Sequence, residues 1–99
     1  MARVILDESA RNDLVRLFEF LLAEDPVAAA ETNDLIVGAL LILEHHPLVG
    51  RPAEDDLREL VISRGRSGYL ALYEYLEADD LVVVLSVRHQ REAGFPERG

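Results

Sequence analysis

Ninety-nine residues, 49% of them hydrophobic, suffice for one compact core and leave no room for a second. Cysteine is absent, which excludes disulfides, thiolate nucleophiles and Cys-containing zinc sites, and suits a reducing compartment such as the cytoplasm. Nineteen acidic residues against 10 basic ones, all arginine, give a formal charge of −9; such a surface keeps a small protein soluble and repels phosphate backbones, disfavouring broad nucleic-acid binding.

The segment Met1 to Asp7 lacks the basic, apolar and small-residue stretches of an export signal in series, so none is expected. Residues 3 to 7, Arg-Val-Ile-Leu-Asp, read as a short strand, and Glu8-Ser9 then offers a helix cap. From Ala10 the apolar positions recur at Leu14, Leu17, Phe18, Leu21 and Leu22, an amphipathic stripe with Arg11, Asn12, Arg16 and Glu19 toward water. Asp25-Pro26 ends this helix and starts another, which runs to about His46. A link that short folds the two helices back as an antiparallel hairpin. The run Leu35 to Leu43 is too short for the roughly 20 residues of a membrane span. Being apolar on nearly every side, it is expected to be buried on two faces, and to make the free protein self-associate.

Beyond Pro47 a turn-rich link leads to strands over Leu57 to Ile62, Tyr69 to Leu76 and Leu81 to Arg88, the last rich in valine and expected to be central. Arg64 to Gly68 reads as the first hairpin loop, Ala78-Asp79-Asp80 as the second turn. Alternation places Tyr69, Ala71, Tyr73 and Tyr75 on one sheet face and Leu70, Leu72 and Leu76 on the other. The fold class is therefore α+β: a short N-terminal strand, an antiparallel helical hairpin, then a three-stranded antiparallel meander, in one domain over 1–99 with a loose tail from about residue 92.

Arginine dominates the candidate chemistry. Arg58, Arg64, Arg66, Arg88 and Arg91, with His89, lie on or beside the strands, and arginine forks onto carboxylate and phosphate. Ordinary pairing with Glu54, Asp55, Asp56 and Glu59 is the competing reading. His89 near Arg91 supplies the minimum for metal-independent RNA cleavage, an acid/base beside a phosphate-stabilising cation. His45 and His46, adjacent on a helix, point about 100° apart and suit the helix C-terminus better than a metal. Tyr69, Tyr73 and Tyr75 have the rings to stack on bases, though strand tyrosines more commonly pack. No residue pattern calls for a metal or cofactor.

In order along the chain, these pieces resemble the ParE/RelE toxins of bacterial type II toxin–antitoxin modules. The resemblance rests on Ser9-Ala10 with Asp13-Leu14, the link Pro47 to Arg51 ("P…GR"), and Leu57-Arg58-Glu59-Leu60 ("R-x-L"). Gly68 to Tyr73 ("Y…Y") and Val84 to Glu92 ("VL-x-V-x-H-x-R") complete it. It implies a protein neutralised by a cognate ParD-like antitoxin, whose apolar and acidic tail lies along the helices and sheet, and a hetero-oligomer of the two. It implies one of two activities: ParE-like members block DNA gyrase by binding, and RelE-like members cut messenger RNA on the ribosome. A member that only binds its antitoxin is a third possibility. On the nuclease pattern Arg58, His89 and Arg91 would be catalytic. The absence of lysine, Phe95 where nuclease members carry a tyrosine, and the −9 charge lean toward gyrase inhibition, with Arg58, Arg64, Tyr73, Arg88, His89 and Arg91 as binding residues.

Overall fold

The computed structural model describes residues 1–64 and 67–90. Its elements are β1 (Arg3–Leu6), α1 (Glu8–Glu24), α2 (Pro26–Ile42), β2 (Arg51–Pro52), β3 (Arg58–Arg64), β4 (Ser67–Leu76) and β5 (Leu81–His89), with single 3-10 turns at Glu54–Asp56 and Glu77–Asp79. The five strands form one sheet in the order β1-β5-β4-β3-β2. The α+β class and the strand, hairpin and meander order agree with the sequence reading. Two features enlarge the expected sheet: β1 pairs in parallel with β5, and β2 adds a two-residue edge beside β3. β5 lies inside the sheet, between β1 and β4.

Several boundaries differ from expectation for identifiable reasons. The cap of α1 is Asp7, not Glu8-Ser9: the Asp7 Oδ1 accepts the Ala10 N–H at 2.9 Å. Asp25 serves both helices. Its N–H donates to the Leu21 carbonyl at 2.7 Å, closing α1, and its side chain accepts from the N–H groups of Val27 and Ala28, opening α2, with Pro26 in the first turn. α2 ends at Ile42, short of His46; the His46 N–H donates to the Ile42 carbonyl at 3.0 Å and both histidines lie beyond the helix. In the first hairpin only Gly65 and Arg66 separate the paired ends Arg64 and Ser67, and these two lie outside the described residues, as does the tail from Arg91.

One sheet face carries both helices. Ala10 and Leu17 of α1 and Ile36 and Leu40 of α2 close over Ile62, Tyr69, Ala71, Tyr73, Val82, Val84 and Val87, all buried. The tyrosine alternation holds for Tyr69, Ala71 and Tyr73, while Tyr75 is only half-buried. In β5 the phase shifts. Leu72 pairs with Ser86 but Tyr73 with Val84, so Leu85 is skipped in a β-bulge, which lets Val84 and Val87 both face the core although they are three residues apart. The expected burial of α2 on two faces is not met within the chain: Val37, Leu41 and Ile42 are 42–49% exposed.

Candidate functional site

The candidate residues divide between the two ends of the sheet. Paired strand residues share a face, so Arg58, opposite Tyr73, lies on the helix-covered face near one end, whereas His89, opposite Tyr69, lies on the same face near the other. Four residues along β4 and two strand spacings place their Cα atoms roughly 16 Å apart.

At the first end the side chains are committed to holding a loop. The Tyr73 ring is fully buried; its hydroxyl accepts the Gly50 N–H and donates to the Pro47 carbonyl, each at 2.8 Å. The Arg58 guanidinium donates to the carbonyls of Gly50 at 2.8 Å and Leu48 at 3.2 Å. It is thus turned toward the β2 edge and away from β5. Burial raises the Tyr73 pKa, against the smaller lowering from the Gly50 N–H and the Arg58 charge. Gly50 is required by close approach, since a Cβ there would stand 2.6 Å from the Tyr73 hydroxyl and 3.0 Å from the Glu59 carbonyl. The "P…GR", "R-x-L" and "Y…Y" segments are therefore one clamp. Tyr73, expected as a binding residue, is an internal tie with no exposed surface, and Arg58 is its neighbour in that task.

At the opposite end, the His89 ring meets the Tyr69 ring edge-on at 5.1 Å between centroids, and Arg88 places Nε 3.9 Å from Oδ2 of Asp13. Asp13 entered the sequence reading only as part of the Asp13-Leu14 motif and not as a candidate site residue. It lies in the buried phase of α1 with Ala10 and Leu17, and its Oδ2 accepts the buried Val87 N–H at 2.9 Å, with Arg16 Nη2 3.6 Å from Oδ1. A carboxylate in step with an apolar stripe was the available signal. Arg64 enters only through its backbone, paired with Ser67; its side chain and Arg91 lie outside the described residues, so their relation to His89 does too. Among the described residues no group of three or more His, Asp or Glu is placed to hold a metal ion, and no helix is long and apolar enough to cross a membrane.

The outer surface of the helices carries the other marked feature. Val15, Phe18 and Leu22 of α1 are 55%, 38% and 45% exposed, at a spacing that puts them on one helix face. They line, with Leu14, Glu19 and Asn33, an open depression of about 490 Å³. Such apolar exposure is available to a partner segment.

Comparison with known proteins identifies the setting. Residues 4–94 match the family model described as ParE toxin of type II toxin–antitoxin system, parDE. The chain belongs to the ParE toxin family. Within the wider ParE/RelE group it is 37% identical over 92 residues to Toxin RelE3 of Caulobacter vibrioides, covering 93% of this chain and 98% of that protein. It is 36% identical over 73 residues to Toxin RelE1 of the same organism, covering 74% and 78%. The ParE/RelE fold is matched by a chain of the RelBE2 toxin–antitoxin complex of Mycobacterium tuberculosis (TM-score 0.57, 28% identity, 90% of this chain and 98% of that one). A chain of the intact Escherichia coli RelBE complex has the same fold (TM-score 0.53, 19% identity, covering 89% and 95%). This ParE-family protein is thus a toxin of a type II toxin–antitoxin system.

Proposed function

We propose that the toxin acts by binding DNA gyrase and inhibiting it, and that a ParD-like antitoxin binds and neutralises it in the cytoplasm. The observation that carries this reading is the commitment of Arg58 to the carbonyls of Leu48 and Gly50, turned away from His89. Metal-independent RNA cleavage needs an acid/base and a phosphate-binding cation converging on one phosphate, and among the described residues Arg58 and His89 are not so arranged. The −9 charge and the lack of lysine support the same choice, since ribosomal RNA would have to be approached against long-range repulsion.

Support for an antitoxin partner comes from two sides. The matched structures are toxin–antitoxin complexes, and the exposed Val15, Phe18 and Leu22 face offers an apolar partner segment the contact it needs. The product is a hetero-oligomer, and the exposed Val37, Leu41 and Ile42 of α2 favour self-association of the free toxin. The names of the two Caulobacter relatives favour a second reading, a ribosome-dependent messenger endonuclease. In that case His89 and Arg91 would carry the cleavage. A supercoiling assay run beside messenger-cleavage mapping separates the two: gyrase inhibition with intact messenger supports the first, and cleavage with normal supercoiling supports the second.

A further inference from the structure

The loop that Tyr73 and Arg58 hold has a feature its tethering does not explain. Four hydrogen bonds shared with the Tyr73 and Arg58 side chains fix Pro47 to Gly50, and the Val49 N–H adds a fifth, to the His46 carbonyl at 3.1 Å. Yet the residues so fixed, Leu48 and Val49, point into water, 57% and 55% exposed. Because the loop backbone is already held, a partner that covers these side chains does not have to order the loop. Beside them lies an open depression of about 440 Å³ lined by His46, Pro47, Leu48, Val49, Tyr75 and Glu77. Its walls are apolar. Glu77 is the carboxylate among its lining residues, and the Tyr75 hydroxyl donates at 2.7 Å to Oδ1 of Asp80, whose Oδ2 lies 3.9 Å from the N-terminal ammonium. The turns Glu54–Asp56 and Glu77–Asp79 both lie at this end of the sheet, and His46 is the one imidazole facing the depression.

We propose that the Leu48–Val49 tip and the Tyr75 depression are the surface through which this toxin docks on gyrase, taking a segment in which an aliphatic side chain stands next to lysine or arginine. The proposal rests on the gyrase reading and adds the contact surface to it. Charge complementarity selects the occupant. An enzyme that grips DNA presents lysine and arginine on its surface, which a −9 protein approaches with electrostatic steering and meets at the Glu77 carboxylate. A second copy of the toxin would instead bring carboxylates against carboxylates. This surface and the depression on α1 share no lining residue.

The test is a titration of fluorescently labelled toxin with purified gyrase at low and high salt, comparing wild type, the double variant Leu48→Ser/Val49→Ser and Glu77→Lys. All three positions are exposed, and thermal unfolding and antitoxin capture verify that each variant is folded. The expected result is salt-sensitive binding by the wild type, at least tenfold weaker binding by the double variant, and a several-fold loss with a flatter salt dependence for Glu77→Lys. Antitoxin capture is unchanged in both. Gyrase binding that neither variant alters overturns the docking surface and leaves the gyrase reading standing. A wild type that does not bind gyrase overturns both. Parallel loss of antitoxin and gyrase binding at an unchanged melting temperature overturns the assignment of this surface to gyrase.

Discussion

The carboxylate of Asp13 accepts the backbone N–H of Val87 at 2.9 Å, both buried, at a point where the sheet has run out of partners. β1 ends at Leu6, opposite Val84, while β5 continues past the bulge at Leu85 to His89. Asp13 occupies the vacated lane and supplies the acceptor that a longer β1 would have offered; Arg16 and Arg88 offset its charge. Asp13→Ala is expected to cost about 2–3 kcal/mol, the range for a lost charge-assisted hydrogen bond that leaves a buried donor unpaired. Asp13→Asn, which keeps an acceptor, should cost less. Urea unfolding of the three proteins gives the order, and amide exchange at Val87 in Asp13→Ala should accelerate with it.

Tyr73→Phe removes the hydroxyl that joins Gly50 to Pro47 and leaves both backbone groups without that partner. A loss of about 1–3 kcal/mol is expected, measured by the same unfolding transition.

The pH dependence of the same residue has a definite sign. Burial raises the folded-state pKa of Tyr73 above the ordinary tyrosine value of about 10. The folded protein therefore holds the proton more tightly than the unfolded chain. Its contribution is complete below the unfolded pKa and is lost as pH rises through the folded one. Thermal unfolding of the wild type should show a fall in melting temperature starting near pH 10, and Tyr73→Phe should show a shallower one.

Gly50→Ala introduces a Cβ that would stand 2.6 Å from the Tyr73 hydroxyl, and the buried ring has little room to retreat. Overpacking of this kind costs about 1–3 kcal/mol. Combined with Tyr73→Phe the losses should be less than additive, because both act on one contact; a double-mutant cycle in urea measures it.

Asp25→Ala unties the start of α2, removing the acceptor for the Val27 and Ala28 N–H groups at 3.1 and 3.3 Å, while the backbone N–H that closes α1 on the Leu21 carbonyl is kept. A cost of about 1 kcal/mol is expected for the lost cap of α2, with faster amide exchange confined to the hairpin turn.

The hairpin and the meander were legible because each rests on local signals: the 3.6-residue recurrence through Leu14 and Leu17, Pro26 at a helix start, and the alternation from Tyr69 to Tyr73. What escaped was set by contacts distant in sequence. The parallel pairing of β1 with β5 joins Arg3 to Leu81, and nothing in either segment names the other. β2 is two residues long and has no periodicity to read. Tyr73 and Arg58 appeared as surface candidates because their partners, Pro47 and Gly50, become neighbours only when β4 and β3 are in place. Phe18 and Leu22 fitted the apolar stripe of α1 and yet stand at its exposed margin. A stripe wider than the sheet it covers leaves its edge to a partner.

The measurement that bears most directly on the central claim is DNA supercoiling by purified gyrase with increasing wild-type toxin, with and without its antitoxin. The account predicts dose-dependent inhibition that the antitoxin reverses, with messenger left intact in a parallel translating extract. Full supercoiling at saturating toxin, together with ribosome-dependent messenger cleavage abolished by His89→Ala, would contradict it.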